Sequence, residues 1–171
     1  DGTFMKLRQP LDSMVQGTED KIDYLNINVR NFECSRPFYE MLGLKIVDQS
    51  QSKDGGELLS EAMGIGIETE KLGRMMQHRV DGFRVKLNQW VKPSAIGEPY
   101  PPPLTHLGIH RINWASSDLE SDIETLKRHG VKFVSPIAPC CEGDASTFGF
   151  IIFEDPDGIY NQMLGVITPP N

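Results

Sequence analysis

The chain has 171 residues, 39% hydrophobic and 24% charged, with a formal net charge of −7 and a pI near 5.1. This length suits one well-buried core and is short for two independent domains. The acidic balance argues against nucleic acid or an anionic membrane as partner; no apolar stretch approaches the ~20 residues that span a bilayer, and no basic-then-apolar signal segment appears at the start.

Residues 1–20 mix Gly, Pro, Ser and charge without periodicity and read as an N-terminal arm. The first residue is Asp, so a processed end or a fragment is open, and Met5 could be an internal start. From Lys21, KIDYLNINV alternates, placing Leu25, Ile27 and Val29 on one strand face and Tyr24, Asn26 and Asn28 on the other. Asn31 is a helix start, and SRPFYEMLGLKIV spaces Phe38, Met41 and Leu42 helically before breaking at Gly43. A strand is expected near Lys45, followed by a polar loop QSQSKDGG and a short apolar segment around LLSEAMGIGI. Two strands, RMMQHRV and FRVKLNQW, then flank an Asp81-Gly82 turn signal.

The proline-rich stretch VKPSAIGEPYPPPLTHLG reads as a linker, about residues 91–107, between a first unit (about 21–90) and a second (about 108–167). GIHRINWAS is expected as a second opening strand, DLESDIETLKRHGV as an amphipathic helix with Leu119, Ile123 and Leu126 on one face, and VKFVSP, FGFIIFEDPDG and IYNQMLGV as closing strands. The order strand, helix, strands occurs twice, which a doubly wound parallel sheet does not produce. The expected fold is α+β, with two tandem βαβββ modules whose curved mixed sheets surround a central cavity. Cys34, Cys140 and Cys141 have neither disulfide-framework nor zinc spacing, which favours a reducing compartment such as the cytoplasm. The vicinal pair Cys140-Cys141 reads as two thiols in a loop, with redox activity as the sharper alternative.

FYEMLGLKI in the first unit, and GIHRINWASSDLESDIETLKRHGV followed by FEDPDGIYNQMLGV in the second, resemble the vicinal oxygen chelate (glyoxalase/bleomycin-resistance/dioxygenase) superfamily. The resemblance covers about residues 21–167 and rests on several weak motifs in the right order. It implies four metal-ligand positions, commonly His or Gln on the opening strands and Glu on the closing ones. Here they fall on Tyr24, Lys86, Arg111 and Gln162. Lysine and arginine present no lone pair to a divalent ion, so no metal and no other cofactor is expected. The histidines offer no replacement: His106 is in the linker, His129 at a helix end, His110 on the face of Ile112 and Trp114, and His78 on a strand whose facing stays open. The resemblance also implies pairing as a homodimer.

Strand phase and resemblance together put Tyr24, Asn26 and Asn28 on one cavity wall, Arg84, Lys86 and Asn88 on another, and Arg111, Asn113, Tyr160 and Gln162 opposite. Such a face holds many donors and no carboxylate, which suits a small ligand with anionic or carbonyl oxygens. One reading is a metal-independent isomerase, lyase or cyclase, with Tyr24 or Lys86 moving a proton and Arg111 stabilising an enolate. Another is a non-catalytic binding or drug-sequestering protein, and a weaker third is a metal-dependent lyase or dioxygenase with unusual ligands. No carboxylate-histidine pair, nucleophile elbow or phosphate loop is evident in the sequence.

Overall fold

A computed structural model of the protein describes residues 23–48, 50–95, 105, 111–140 and 146–167. The N-terminal arm, most of the proline-rich linker, His106, His110 and Cys141 lie outside the described residues.

The first half opens with β1 (Leu25–Val29), which buries Ile27 and Val29 and exposes Asn26 and Asn28, as its alternation requires. Asn31 caps α1 (Phe32–Met41) by accepting the Cys34 N–H at 3.2 Å, and Gly43 ends the turn at φ +88°. The helix buries Phe32, Ser35, Phe38 and Tyr39. β2 (Leu44–Ile46) follows, then β4 (Thr69–His78) and β5 (Arg84–Lys92) after an intervening pair of elements, with Gly82 at φ +73° in the turn between them.

That intervening pair departs from the sequence reading. Within the stretch expected as a polar loop, Ser52–Gly56 forms β3, antiparallel to the first half of β4. Its residues have poor strand propensity, so nothing local announces it; the ladder with β4 makes the strand. A Cβ at Gly55 would lie 2.1 Å from the Thr69 carbonyl oxygen, so the tight approach demands glycine. The short apolar segment becomes α2 (Glu57–Ala62).

The second half comprises β6 (Arg111–Ser116), α3 (Leu119–Arg128), β7 (Ala138–Pro139), β8 (Phe148–Glu154) and β9 (Tyr160–Val166). Asp118 caps α3 by accepting the Ser121 N–H, and Leu119, Ile123 and Leu126 form its buried stripe. VKFVSP, expected as a strand, contributes only an isolated bridge from Phe133 to Phe153. Pro136 lacks the N–H a ladder needs, and pairing resumes only at β7.

The halves share one topology. The sheets run β1-β5-β4-β2, with β3 also on β4, and β6-β9-β8-β7. In each, the opening strand is parallel to the last strand and the other pairings are antiparallel. Neither sheet closes. One apolar cluster runs through both halves, from Ile27, Val85 and Leu87 to Trp114, Ile151, Phe153 and Met163. Each such side chain contributes roughly 1.5–3 kcal/mol by leaving water. Phe38 of α1 packs its ring 6.0 Å from that of Phe153 in β8, so the first helix is anchored on the second sheet.

Candidate functional site

With the apolar residues of both opening strands turned into the core, their alternate residues form polar faces. On the first sheet the register sets Asn26 opposite Lys86 and Asn28 opposite Asn88. Asn88 Nδ2 donates to Asn26 Oδ1 at 3.0 Å and Trp90 Nε1 to Asn28 Oδ1 at 3.2 Å. The asparagines thus fix one another and Trp90. Asn88 is 1% exposed, and its Oδ1 has no hydrogen-bond partner among the described residues.

Lys86 does not stand open on this face. Its Nζ donates to Asp54 Oδ2 at 2.6 Å, with the side chains 12% and 32% exposed. Reaching β3 takes Lys86 across β4 at Gly73, where a Cβ would lie 2.3 Å from Lys86 Cε. Glycine there opens the path along which the lysine lies. The expectation of a face without carboxylates is therefore corrected: Asp54 escaped notice because its segment read as a loop. On the second sheet Glu154 stands opposite Tyr160, paired to Lys132 at 2.8 Å. Arg84 is paired with Asp23 and also donates from Nε to the Asp23 carbonyl oxygen at 3.3 Å.

The second polar face sets Arg111 opposite Tyr160 and Asn113 opposite Gln162. Arg111 is half-buried, and its guanidinium makes no hydrogen bond or ion pair with another described residue. Tyr24 lies just ahead of β1, also half-buried. The named positions therefore form two groups, one per sheet, with Arg111 the least committed cation of the set.

These residues do not fit a divalent metal at the positions the resemblance assigns. Lys86 is an ammonium already bound to Asp54, and Arg111 is a permanent cation. Tyr24 and Gln162 alone make a poor oxygen cage. Among the described residues no group of three or more His, Cys, Asp or Glu could hold a metal ion.

The motifs that carry the resemblance do structural work instead. Tyr39 donates its hydroxyl to Asp155 Oδ2 at 2.7 Å, and Ser35 donates to Asp157 Oδ2 at 2.9 Å. Asp155 Oδ1 accepts the N–H groups of Asp157 and Ile159, holding the β8–β9 turn. Burial pushes the Asp155 carboxyl up to about 6 and the Tyr39 phenol well above its ordinary range. DPDG, which as sequence is only a turn signal, is the socket for α1.

His78 faces the core side, tilted against Trp114, with Nδ1 2.7 Å from Asp81 Oδ1. A carboxylate-histidine pair is therefore present, contrary to the reading of the sequence. Its signal was the His-x-x-Asp-Gly spacing, in which a turn folds the carboxylate back on the imidazole. The Phe83 N–H, foremost, and then His78 lower the Asp81 pKa.

Residues 21–163 match a family model described as the Glyoxalase/Bleomycin resistance protein/Dioxygenase superfamily. Among solved structures, a glyoxalase family protein from Bacillus cereus is 18% identical with a TM-score of 0.72, covering 91% of this chain and 100% of that one. A glyoxalase/dioxygenase from Nostoc punctiforme is 17% identical with a TM-score of 0.57, covering 95% and 100%. No curated protein matches the chain.

Proposed function

Because the chain belongs to the glyoxalase/bleomycin resistance protein/dioxygenase superfamily, we propose that it binds a small organic molecule bearing anionic or carbonyl oxygens on its polar sheet faces, without a metal at the family's ligand positions. The observation that carries this reading is the uncommitted, half-buried guanidinium of Arg111 beside Tyr160. A half-buried arginine without a counter-charge among the described residues suits oxygen ligands, and its planar fork matches a carboxylate or enolate. The Asn26-Asn88 and Asn28-Trp90 bonds fix the polar groups of the first sheet before a ligand arrives, which lowers the ordering cost of binding there.

A second reading, a metal-independent isomerase, lyase or cyclase, draws on the Lys86-Asp54 pair. A charge-assisted contact of 2.6 Å keeps a proton donor on the same face as Asn26. Calorimetry with a panel of carboxylates, β-dicarbonyls and quinones, followed by NMR of the recovered ligands, tests both. Saturable binding with unchanged ligand supports the binding protein, chemical conversion supports the enzyme, and no binding by any class defeats both.

A further inference from the structure

The two halves repeat a junction, and one copy is built differently. α1 and α3 each begin at a side-chain cap, Asn31 or Asp118, and end at a positive-φ glycine, Gly43 or Gly130. Aligned on those ends, Ser35 and Tyr39 correspond to Asp122 and Leu126. The β4–β5 and β8–β9 turns correspond likewise through Asp81-Gly82 and Asp157-Gly158, with both glycines at positive φ. Hydroxyls of α1 bind the carboxylates of the β8–β9 turn, whereas α3 offers a leucine and a carboxylate to the β4–β5 turn. That turn stays unlatched, and Asp81 remains exposed.

A cavity of about 790 Å³ lies at this unlatched junction, between the end of α1, the β4–β5 turn, β6 and α3. Its size is within the range of small-molecule sites. Three rings line it: Phe83 stands edge-on to Trp114 at 6.3 Å and 81°, and His78 is tilted to Trp114 at 6.5 Å and 55°. Trp114 directs its N–H into the core, to Asn161 Oδ1 at 2.9 Å, and so presents ring surface to the cavity. Asp81 and Asp122 also line it, and among its described lining residues there is no Lys or Arg.

We propose that this cavity is a second binding site, specific for a small aromatic organic cation such as a protonated arylalkylamine. The rings offer π-faces to a flat apolar group and to an adjacent ammonium. The two carboxylates supply the counter-charge, and Asp81 is held ionised by the Phe83 N–H and by His78. Its charge preference is opposite to that of the Arg111 face.

The test is calorimetric titration with 1-naphthylmethylamine, protonated at pH 7, and with the charge-reversed probe 1-naphthylacetate. The expected result is saturable binding of the amine, with the acetate at least about tenfold weaker at this site. Phe83→Ala should weaken amine binding about 5-fold or more, and Asp81→Asn with Asp122→Asn about tenfold. All three positions are exposed, so folding is expected to persist, and circular dichroism of each variant checks it. Arg111→Leu should leave amine binding unchanged, which separates this site from the polar faces. Absence of saturable amine binding would overturn the proposal, as would affinities unaltered in both the Phe83 variant and the double carboxylate variant.

Discussion

Tyr39 and Asp155, 116 positions apart, meet in a buried hydrogen bond of 2.7 Å that ties the first helix to the turn of the second sheet. The bond joins two of the motifs that carry the resemblance, FYEMLG and DPDG, and gives both a structural role. Tyr39 is fully buried and Asp155 nearly so. Tyr39→Phe would leave Asp155 Oδ2 without its side-chain donor and should cost roughly 1–3 kcal/mol of stability. A lower urea midpoint with unchanged slope, and ligand affinity as in the wild type, is the expected outcome.

The same pair sets a pH dependence whose sign is unusual for a carboxylate. Burial raises the Asp155 pKa from 3.8 to about 6, so the folded state binds the proton more tightly than the unfolded chain. Its stabilising contribution is complete below about pH 4 and is lost as pH rises through about 6, a change on the order of 3 kcal/mol. Asp155→Asn keeps an acceptor for the Asp157 and Ile159 N–H groups without the titration. The difference in unfolding free energy between wild type and variant should move against the wild type from pH 4 to 7, as denaturant titrations at several pH values would record. A flat difference would contradict the assignment.

Much of this scaffold was legible in the sequence because it is written in local periodicity. The alternation in LNINV and RINWAS gave strand phase, and hence the facing of Asn26, Asn28, Arg111 and Asn113. Caps and glycines gave α1 and α3. What was illegible depended on partners far along the chain. β3 exists through its ladder with β4, so the Asp54 carboxylate beside Lys86 could not be read from Ser-Lys-Asp-Gly-Gly. The burial of Asp155 and Asp157 is likewise a consequence of α1 crossing to the other half, which no turn motif encodes.

The Lys86-Asp54 contact makes a separable prediction about the first polar face. Asp54→Asn removes the counter-ion and leaves a mostly buried ammonium, so stability should fall while affinity for a carboxylate ligand rises about threefold or more. Lys86→Met leaves the Asp54 carboxylate unanswered instead, so it should weaken that affinity about threefold or more. Gly73→Ala should resemble neither, because its Cβ collides with the lysine stem and evicts it from β3, at a cost of roughly 1–3 kcal/mol. Calorimetry and thermal unfolding of the three variants distinguish these outcomes.

The donor set at Tyr24, Lys86, Arg111 and Gln162 also predicts the result of elemental analysis. The purified protein should carry no stoichiometric divalent metal whose retention depends on these positions. About one transition metal per chain, lost when they are mutated, would refute this.

Recognition of an oxygen-rich ligand by Arg111 is most directly tested by titrating wild type and Arg111→Leu with the tightest carboxylate or β-dicarbonyl of the panel, with and without a chelator. The account predicts wild-type binding that is indifferent to the chelator and weakened by roughly 2–5 kcal/mol in the variant, the range for removing one partner of a desolvated charge pair. Binding that the chelator abolishes, or that wild type and variant share equally, would contradict it.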